Sequence, residues 1–254
     1  MNRQAEKIFF PLITIAFLMV LWNWMSGLFP ADLLPKPWAV VISFWEMKDI
    51  LHVHISVSLL RFLGAYLAAA LLAIPLGLIF GRYARLWLAF EPLAHIIRPI
   101  SPVAWLPLMV LWFGIGNLPT MVIIFIAAFF PILLTTISAV RNVDPVYLKV
   151  ARNFNTGELN VLRKVIVPAA FPNITVGLHL ALGTGWVFLV VGEMLGVQSG
   201  LGYLIIDGRN SLRYDMVIAS MLMIGVIGLL FDRLITLFEK WVRGKWGYVT
   251  ARSE

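Results

Sequence analysis

Residues 98–141 read RPISPVAWLPLMVLWFGIGNLPTMVIIFIAAFFPILLTTISAVR. Between Arg98 and Arg141 lie 42 residues without a charge. An α-helix needs about 20 apolar residues to cross the hydrocarbon of a bilayer, so this stretch is long enough to cross twice. Gly114-Ile115-Gly116-Asn117-Leu118-Pro119 supplies turn chemistry between its two apolar blocks. The reading is two membrane helices joined by a tight connection.

The same measure applied outward finds four more uncharged runs. Lys7 to Asp32 encloses 24 residues, Arg61 to Arg82 encloses 20, Lys164 to Glu193 encloses 28 and Asp215 to Asp232 encloses 16. The expectation is an all-α membrane protein with six transmembrane helices, near 8–28, 59–80, 88–113, 118–139, 170–191 and 216–238. One transmembrane domain, 1–254, fills the chain. Composition agrees: 61% of residues are hydrophobic, 13% are charged and the mean hydropathy is +0.90. An ordinary soluble domain carries about 25% charged residues. A soluble enzyme, a nucleic-acid-binding module and a disordered chain are thereby excluded. The absence of Cys removes disulfides and thiolate sites.

The net charge of +7 reads as topology. With the N-terminus inside, cytoplasmic segments hold thirteen Lys and Arg and external segments hold four, namely Lys36, Lys48, Arg209 and Arg213. The positive-inside rule then puts both termini in the cytoplasm. The first apolar run is longer than a signal-peptide core, and Met25-Ser26-Gly27-Leu28-Phe29-Pro30 offers no small-x-small cleavage site, so it reads as a retained helix.

One sizeable connection, 141–168, faces the cytoplasm: RNVDPVYLKVARNFNTGELNVLRKVIVP. Asp144 and Pro145 form an N-cap and N1 pair, predicting a helix to about Phe154. Asn155-Thr156-Gly157 breaks it. Asn155 and Glu158 have capping-box spacing for a second short helix, which Pro168 is expected to stop. Val146, Val150, Ala151 and Phe154 form one apolar stripe; Leu159, Leu162 and Val165 form another. Such a hairpin either lies in the headgroup region or docks a soluble partner.

This loop resembles the EAA motif of ABC-importer permeases, Glu-Ala-Ala-x3-Gly-x9-Ile-x-Leu-Pro. Lys149, Val150 and Ala151 stand at the Glu-Ala-Ala positions, Asn155 at the Gly, and Val165, Val167 and Pro168 at the Ile, Leu and Pro. Glu is thus replaced by Lys149 and Gly by Asn155, with the spacing intact. Arg98–Pro107, Leu111–Gly116, Gly192–Gly196 and Ser199–Ile205 look like the branch that carries sulfonate, taurine, nitrate or bicarbonate. The resemblance covers nearly the whole chain.

It implies a type I importer permease of the MetI-like fold with a cytoplasmic coupling-helix loop, homodimeric, in a bacterial inner membrane. Two ABC ATPase subunits would dock at Val146, Lys149, Val150, Ala151, Phe154, Asn155 and Pro168. A periplasmic or lipid-anchored binding protein would deliver a small oxyanion. The chain has no Gly-x4-Gly-Lys-Ser/Thr loop, so ATP and Mg belong to the ATPase partner and this chain is expected to bind no cofactor and to catalyse nothing. Lipid is a partner and nucleic acid is not. A stand-alone channel or secondary transporter is the alternative; the long uncharged run speaks against a proton relay.

Ionisable groups at membrane depth usually face a cavity or a partner. Glu91, His95 and Arg98 follow i, i+4, i+7 spacing and share a helix face. Either Arg98 is a fixed charge beside an anion path, or Glu91 lies near the cytoplasmic interface and pairs structurally with His95 or Arg98. Pro99, Pro102 and Pro107 interrupt the same span. Trp105, Trp112, His179 and Glu193 complete the candidate path, Glu193 as the first residue of an external loop. His52 and His54 share a face only in an extended chain, and no metal site is expected. Gly77 and Gly81 form a Gly-x3-Gly pair suited to close helix approach.

Overall fold

The longest apolar runs become the longest helices. The structure, a computed structural model, describes residues 3–30 and 33–245, and contains no strand among them. Helix α1 (Arg3–Met25) is followed by the short α2 (Pro37–Glu46), then α3 (Lys48–Arg82), α4 (Ala84–Ile97), α5 (Leu106–Phe113) and α6 (Asn117–Arg141). The hairpin contributes α7 (Pro145–Asn153) and α8 (Glu158–Val161), and α9 (Val167–Gly196), α10 (Leu201–Asn210) and α11 (Tyr214–Lys245) complete the bundle. Arg252, counted in the charge tally, lies outside the described residues.

Four helices are long and apolar enough to cross a membrane: α3, α6, the continuous α8–α9 helix and α11. The third expected span, 88–113, is not one helix. Its halves, Ala84–Ile97 and Pro102–Phe113, meet at 83°. Pro99 and Pro102 lack the N–H groups that would continue the ladder, and Ser101, preceding proline, takes an extended conformation (φ −56°, ψ 131°). Counted as one, this bent pair makes a fifth crossing. The first expected span corresponds to α1, a helix of 23 residues from Arg3 to Met25. The count of six is thus not exact among the described residues, and the third span is bent rather than straight.

Helix boundaries also move. The second span begins at Lys48 rather than near 59, because residues 48–58 hold apolar residues on a helical period. The fifth continues to Gly196. At its other end Pro168 does not stop the preceding helix. Residues 162–166 form a wider π turn, and α8, that turn and α9 run on as one helix of 39 residues. A proline ring normally clashes with the carbonyl four residues earlier; the widened turn makes room for it.

Helix α6 is the centre of the bundle, with twelve buried residues, and packs between α3 and α9. The approach to α3 is close because Gly77 and Gly81 face it. A Cβ on Gly77 would lie 2.6 Å from Thr136 Cβ, and one on Gly81 equally near Val140 Cβ. The Gly-x3-Gly pair is thus used for packing, as such pairs are in membranes. Phe62, Trp186 and Phe231 interlock at 5.1–5.3 Å between centroids and tie α3, α9 and α11 together. By contrast α1 exposes apolar side chains from Phe9 to Trp24; its Trp22 indole N–H donates to the Pro35 carbonyl at 3.1 Å.

Candidate functional site

The hairpin is built by its own capping chemistry. Asp144 Oδ1 accepts the Val146 N–H at 2.8 Å, so the expected N-cap and proline pair does start α7. Asn155 ends it in the left-handed region (φ 50°), and the Thr156 N–H reaches back to the Ala151 carbonyl at 3.1 Å. This is the Schellman arrangement, in which glycine is usual and asparagine tolerated. The departure from Gly at this position therefore preserves the backbone. The expected capping box does not form. Gly157 is the N-cap of α8, without a side-chain cap, and Glu158 instead pairs with Arg82 at the end of α3, at 2.9 Å.

Val146 and Val150 on α7 and Phe154 just beyond its end are exposed, with Lys149 beside them and Asn155 following. Ala151 of the same stripe is buried, in one apolar cluster with Val140, Val143, Val161 and Ile166, and lines the groove beside α7 from within. A groove of about 710 Å³ lies between α7 and the start of α9, with Val146, Val150, Lys164, Val165 and Pro168 among its walls. A row of exposed apolar side chains beside such a groove suits the ridge of a partner.

A second cavity lies at the bend between α4 and α5. It holds about 410 Å³ and is walled by α6, α9 and the bend itself. Arg98 enters it, together with Pro102, Phe130, Thr135, Thr184 and Phe188. Glu91 lies nearest to His95, at 3.8 Å, and Arg98 forms no ion pair among the described residues. Of the two structural pairings expected for Glu91, the one with His95 forms and the one with Arg98 does not. Pro131 lacks an N–H, which frees the Ala127 carbonyl one turn earlier. Thr184 of α9 donates to that carbonyl at 3.1 Å. Thr135 donates to the Pro131 carbonyl at 2.7 Å.

The other candidate path residues do not line this cleft. His179 sits between α9 and α11, with Asp232 Oδ1 at 3.1 Å and Glu239 Oε2 at 3.5 Å. Trp112 is exposed on α5, and Trp105 is half-buried with its indole nitrogen unpartnered. Glu193 is not the start of an external loop. It is fully buried inside α9, because the helix runs on past it. Its carboxylate accepts from Arg61 Nη1 at 2.9 Å, from Ser58 Oγ at 2.8 Å and from the Gly202 N–H at 3.0 Å. Arg61, also buried, donates further to Ser199 and to Asn117 Oδ1. His54, exposed to no extended strand, accepts the Gly200 N–H and stacks on Tyr203. This network ties α3, α6, α9 and α10 at the end of the bundle away from the hairpin. Nearby, Arg213 donates to Asp215 and Glu46, whose bonds hold its guanidinium charge above the usual arginine range.

A multi-pass helical bundle with a broken span, a charged cleft at the break and an amphipathic hairpin at one end defines a transport permease. The chain belongs to the binding-protein-dependent transport system inner membrane component family, which matches residues 73–244. It is 41% identical over 72% of its length to a putative ABC transporter permease protein of Methanocaldococcus jannaschii, covering 69% of that protein. A putative aliphatic sulfonates transport permease of Bacillus subtilis is 34% identical, over 90% of this chain and 84% of its own. A nitrate import permease of Leptolyngbya laminosa is 32% identical, over 87% and 83%. In three dimensions the chain is similar to an inward-facing methionine ABC transporter, MetNI, with TM-score 0.61 and 16% identity, over 76% of this chain and 97% of the other. The fold is the one expected, and the chain is the permease component of an ABC transporter.

Proposed function

We propose that this chain forms the membrane pathway of an ATP-driven importer for a small oxyanion of the sulfonate, taurine, nitrate or bicarbonate class. Two copies assemble as a homodimer in the cytoplasmic membrane, with both termini inside. Each copy docks one ATPase subunit through Val146, Lys149, Val150, Phe154 and Asn155, beside the groove that Ala151 and Pro168 help to wall. A binding protein delivers the anion from outside. ATP and Mg sit on the ATPase, and its closure moves the hairpins and with them the membrane helices.

The observation that carries this reading is the exposed stripe on α7 beside an open groove, in a chain whose relatives include permeases named for aliphatic sulfonates and nitrate. Arg98 supports the anionic cargo, since guanidinium stays charged at any physiological pH and binds oxyanions through paired N–H groups. The test is uptake by proteoliposomes holding the permease, its ATPase and its binding protein. Accumulation of labelled sulfonate or nitrate should require ATP and all three components. Flux through the permease alone would refute the importer and favour a channel or secondary transporter.

A further inference from the structure

Helix α2 has two apolar faces and packs only one of them. On the packed face Val40 and Met47 are buried in one cluster with Met216 and Ala219 of α11, and Ser43 between them is buried too. On the other face Trp38, Val41, Ile42 and Trp45 follow i, i+3, i+4, i+7 spacing, which sets them in one stripe. Trp38 and Trp45 are 70% and 74% exposed, and Val41 and Ile42 are exposed between them. Cations bracket the stripe. Lys36 precedes the helix and Lys48 follows it, with its ammonium 5.0 Å from the centre of the Trp45 ring. Tryptophan and lysine are the side chains that collect where hydrocarbon meets water.

Two contacts hold both ends of α2 at the end of the bundle opposite the hairpin. Just before the helix, the Pro35 carbonyl accepts the indole N–H of Trp22, near the end of α1. At its last residue, Glu46 accepts from Arg213, immediately before α11, at 2.6 Å. The ten residues of α2 rise about 15 Å, half the thickness of about 30 Å that a spanning helix covers. A helix this short, with a lysine at each end, keeps both lysines in water by lying along the membrane surface. Its packed face is turned to α11, so the stripe on the opposite face points away from the bundle, into lipid at that level.

We propose that α2 is an in-plane anchor. Its stripe is seated in the phospholipid boundary of the leaflet opposite the hairpin, with Lys36 and Lys48 at the level of the lipid phosphates. A second copy of this chain fits the stripe less well. An isologous contact would set lysine against lysine, and Glu46, the acidic residue of α2, is engaged by Arg213. Two Trp, one Val and one Ile also offer on the order of 500 Å², short of the roughly 800 Å² per partner of a stable interface. Through Glu46 and the buried Val40 and Met47, the anchor pins the start of α11 to the membrane surface. The inference needs only that the chain spans a membrane, and it does not rest on the cargo or on the ATPase.

The test uses the permease–ATPase complex in phospholipid nanodiscs. The chain has no Cys, so Lys36→Cys, Trp38→Cys, Val41→Cys, Ile42→Cys, Trp45→Cys and Lys48→Cys, one at a time, can each carry a single nitroxide, attached before the ATPase is added. Power saturation with oxygen and with a water-soluble nickel chelate gives the depth of each label. Labels at 38, 41, 42 and 45 should favour oxygen and share one depth, about 5–10 Å below the phosphates. Labels at 36 and 48 should favour the nickel chelate and sit at the phosphates. A second reading needs no label and keeps the aromatic rings. The tryptophan emission lost in Trp38→Phe with Trp45→Phe should be the part that phospholipid brominated near the carbonyls quenches most strongly. Depths at 38 and 45 that differ by about 10 Å, the length of helix between them, would overturn the proposal, since α2 would then stand upright. Nickel access at all four stripe positions would overturn it in favour of water or a soluble partner, and spin–spin broadening there in favour of a second copy. Emission from Trp38 and Trp45 that brominated lipid leaves unquenched would overturn it as well. ATP-driven uptake is read separately: its absence refutes the importer and leaves these depths as they are.

Discussion

Replacing Glu193 by alanine tests whether this carboxylate is a staple or a path residue. The change removes the acceptor of Arg61 Nη1, of Ser58 Oγ and of the Gly202 N–H, all within 3.0 Å. Arg61, 4% exposed, keeps its bonds to Ser199 and Asn117 but loses the carboxylate that balances it. Breaking a buried ion pair from one side costs about 3–5 kcal/mol, and an orphaned buried N–H costs about 1–3 kcal/mol. Ser58 can rotate to relieve part of this, so the expected loss is about 4 kcal/mol. For a chain of this size each kcal/mol lowers the melting temperature by about 2–4 °C. The purified permease in detergent should therefore melt roughly 8–16 °C lower, followed by intrinsic tryptophan fluorescence. The double change Arg61→Met and Glu193→Met replaces the pair by apolar groups, which is often close to neutral, and should recover most of the loss. A Glu193→Ala protein that melts with the unmodified one but transports poorly would refute the staple. So would a double variant no better than the worse single one.

Three further outcomes follow from the geometry. Val150→Asp and Phe154→Asp place charge on the exposed stripe and should weaken co-purification of the ATPase at least tenfold with the melting temperature unchanged, whereas Ala151→Arg, at a buried position, should destabilise the permease itself. Asn155→Ala forces an ordinary residue into the left-handed region at a cost of about 1–2 kcal/mol, while Asn155→Gly should be neutral or stabilising; melting temperatures of the two separate them. Gly77→Val drives a branched side chain into Thr136 and should cost about 1–3 kcal/mol, read as a lower melting temperature.

The sequence made some of these features legible and hid others for definite reasons. Local chemistry was readable: Asp144 and Pro145 start α7, and the Gly114–Gly116 turn, with φ of 74° and 158° at its glycines, precedes α6. Long-range pairing was not. Arg61 and Glu193 stand 132 positions apart, and each alone looked like a charge marking the edge of an apolar run. The available signal was glycine: a Cβ at Gly200 or Gly202 would run into Glu193, so the residues after α9 are small because a carboxylate sits against them. Pro168 misled in the opposite direction. A proline reads as a stop unless the turn before it widens, and that widening depends on how the helix packs. Ala151 lay on the same helical stripe as Val150, and periodicity does not say which edge of a stripe a second core will cover.

The unbroken helix from Glu158 to Gly196 has a mechanical consequence. At 1.5 Å per residue its 39 residues span about 58 Å, from the hairpin to the network around Glu193. It is a lever. If the hairpin end is held and turned through about 5°, simple trigonometry on that length displaces the far end by about 5 Å, which is the pitch of one helical turn. Arg61 and Ser58 belong to α3, so a swing of that size cannot be absorbed by α9 alone. Either the bonds at Glu193 part, or α3 travels with it and the two helices tilt as a single arm against the rest of the bundle.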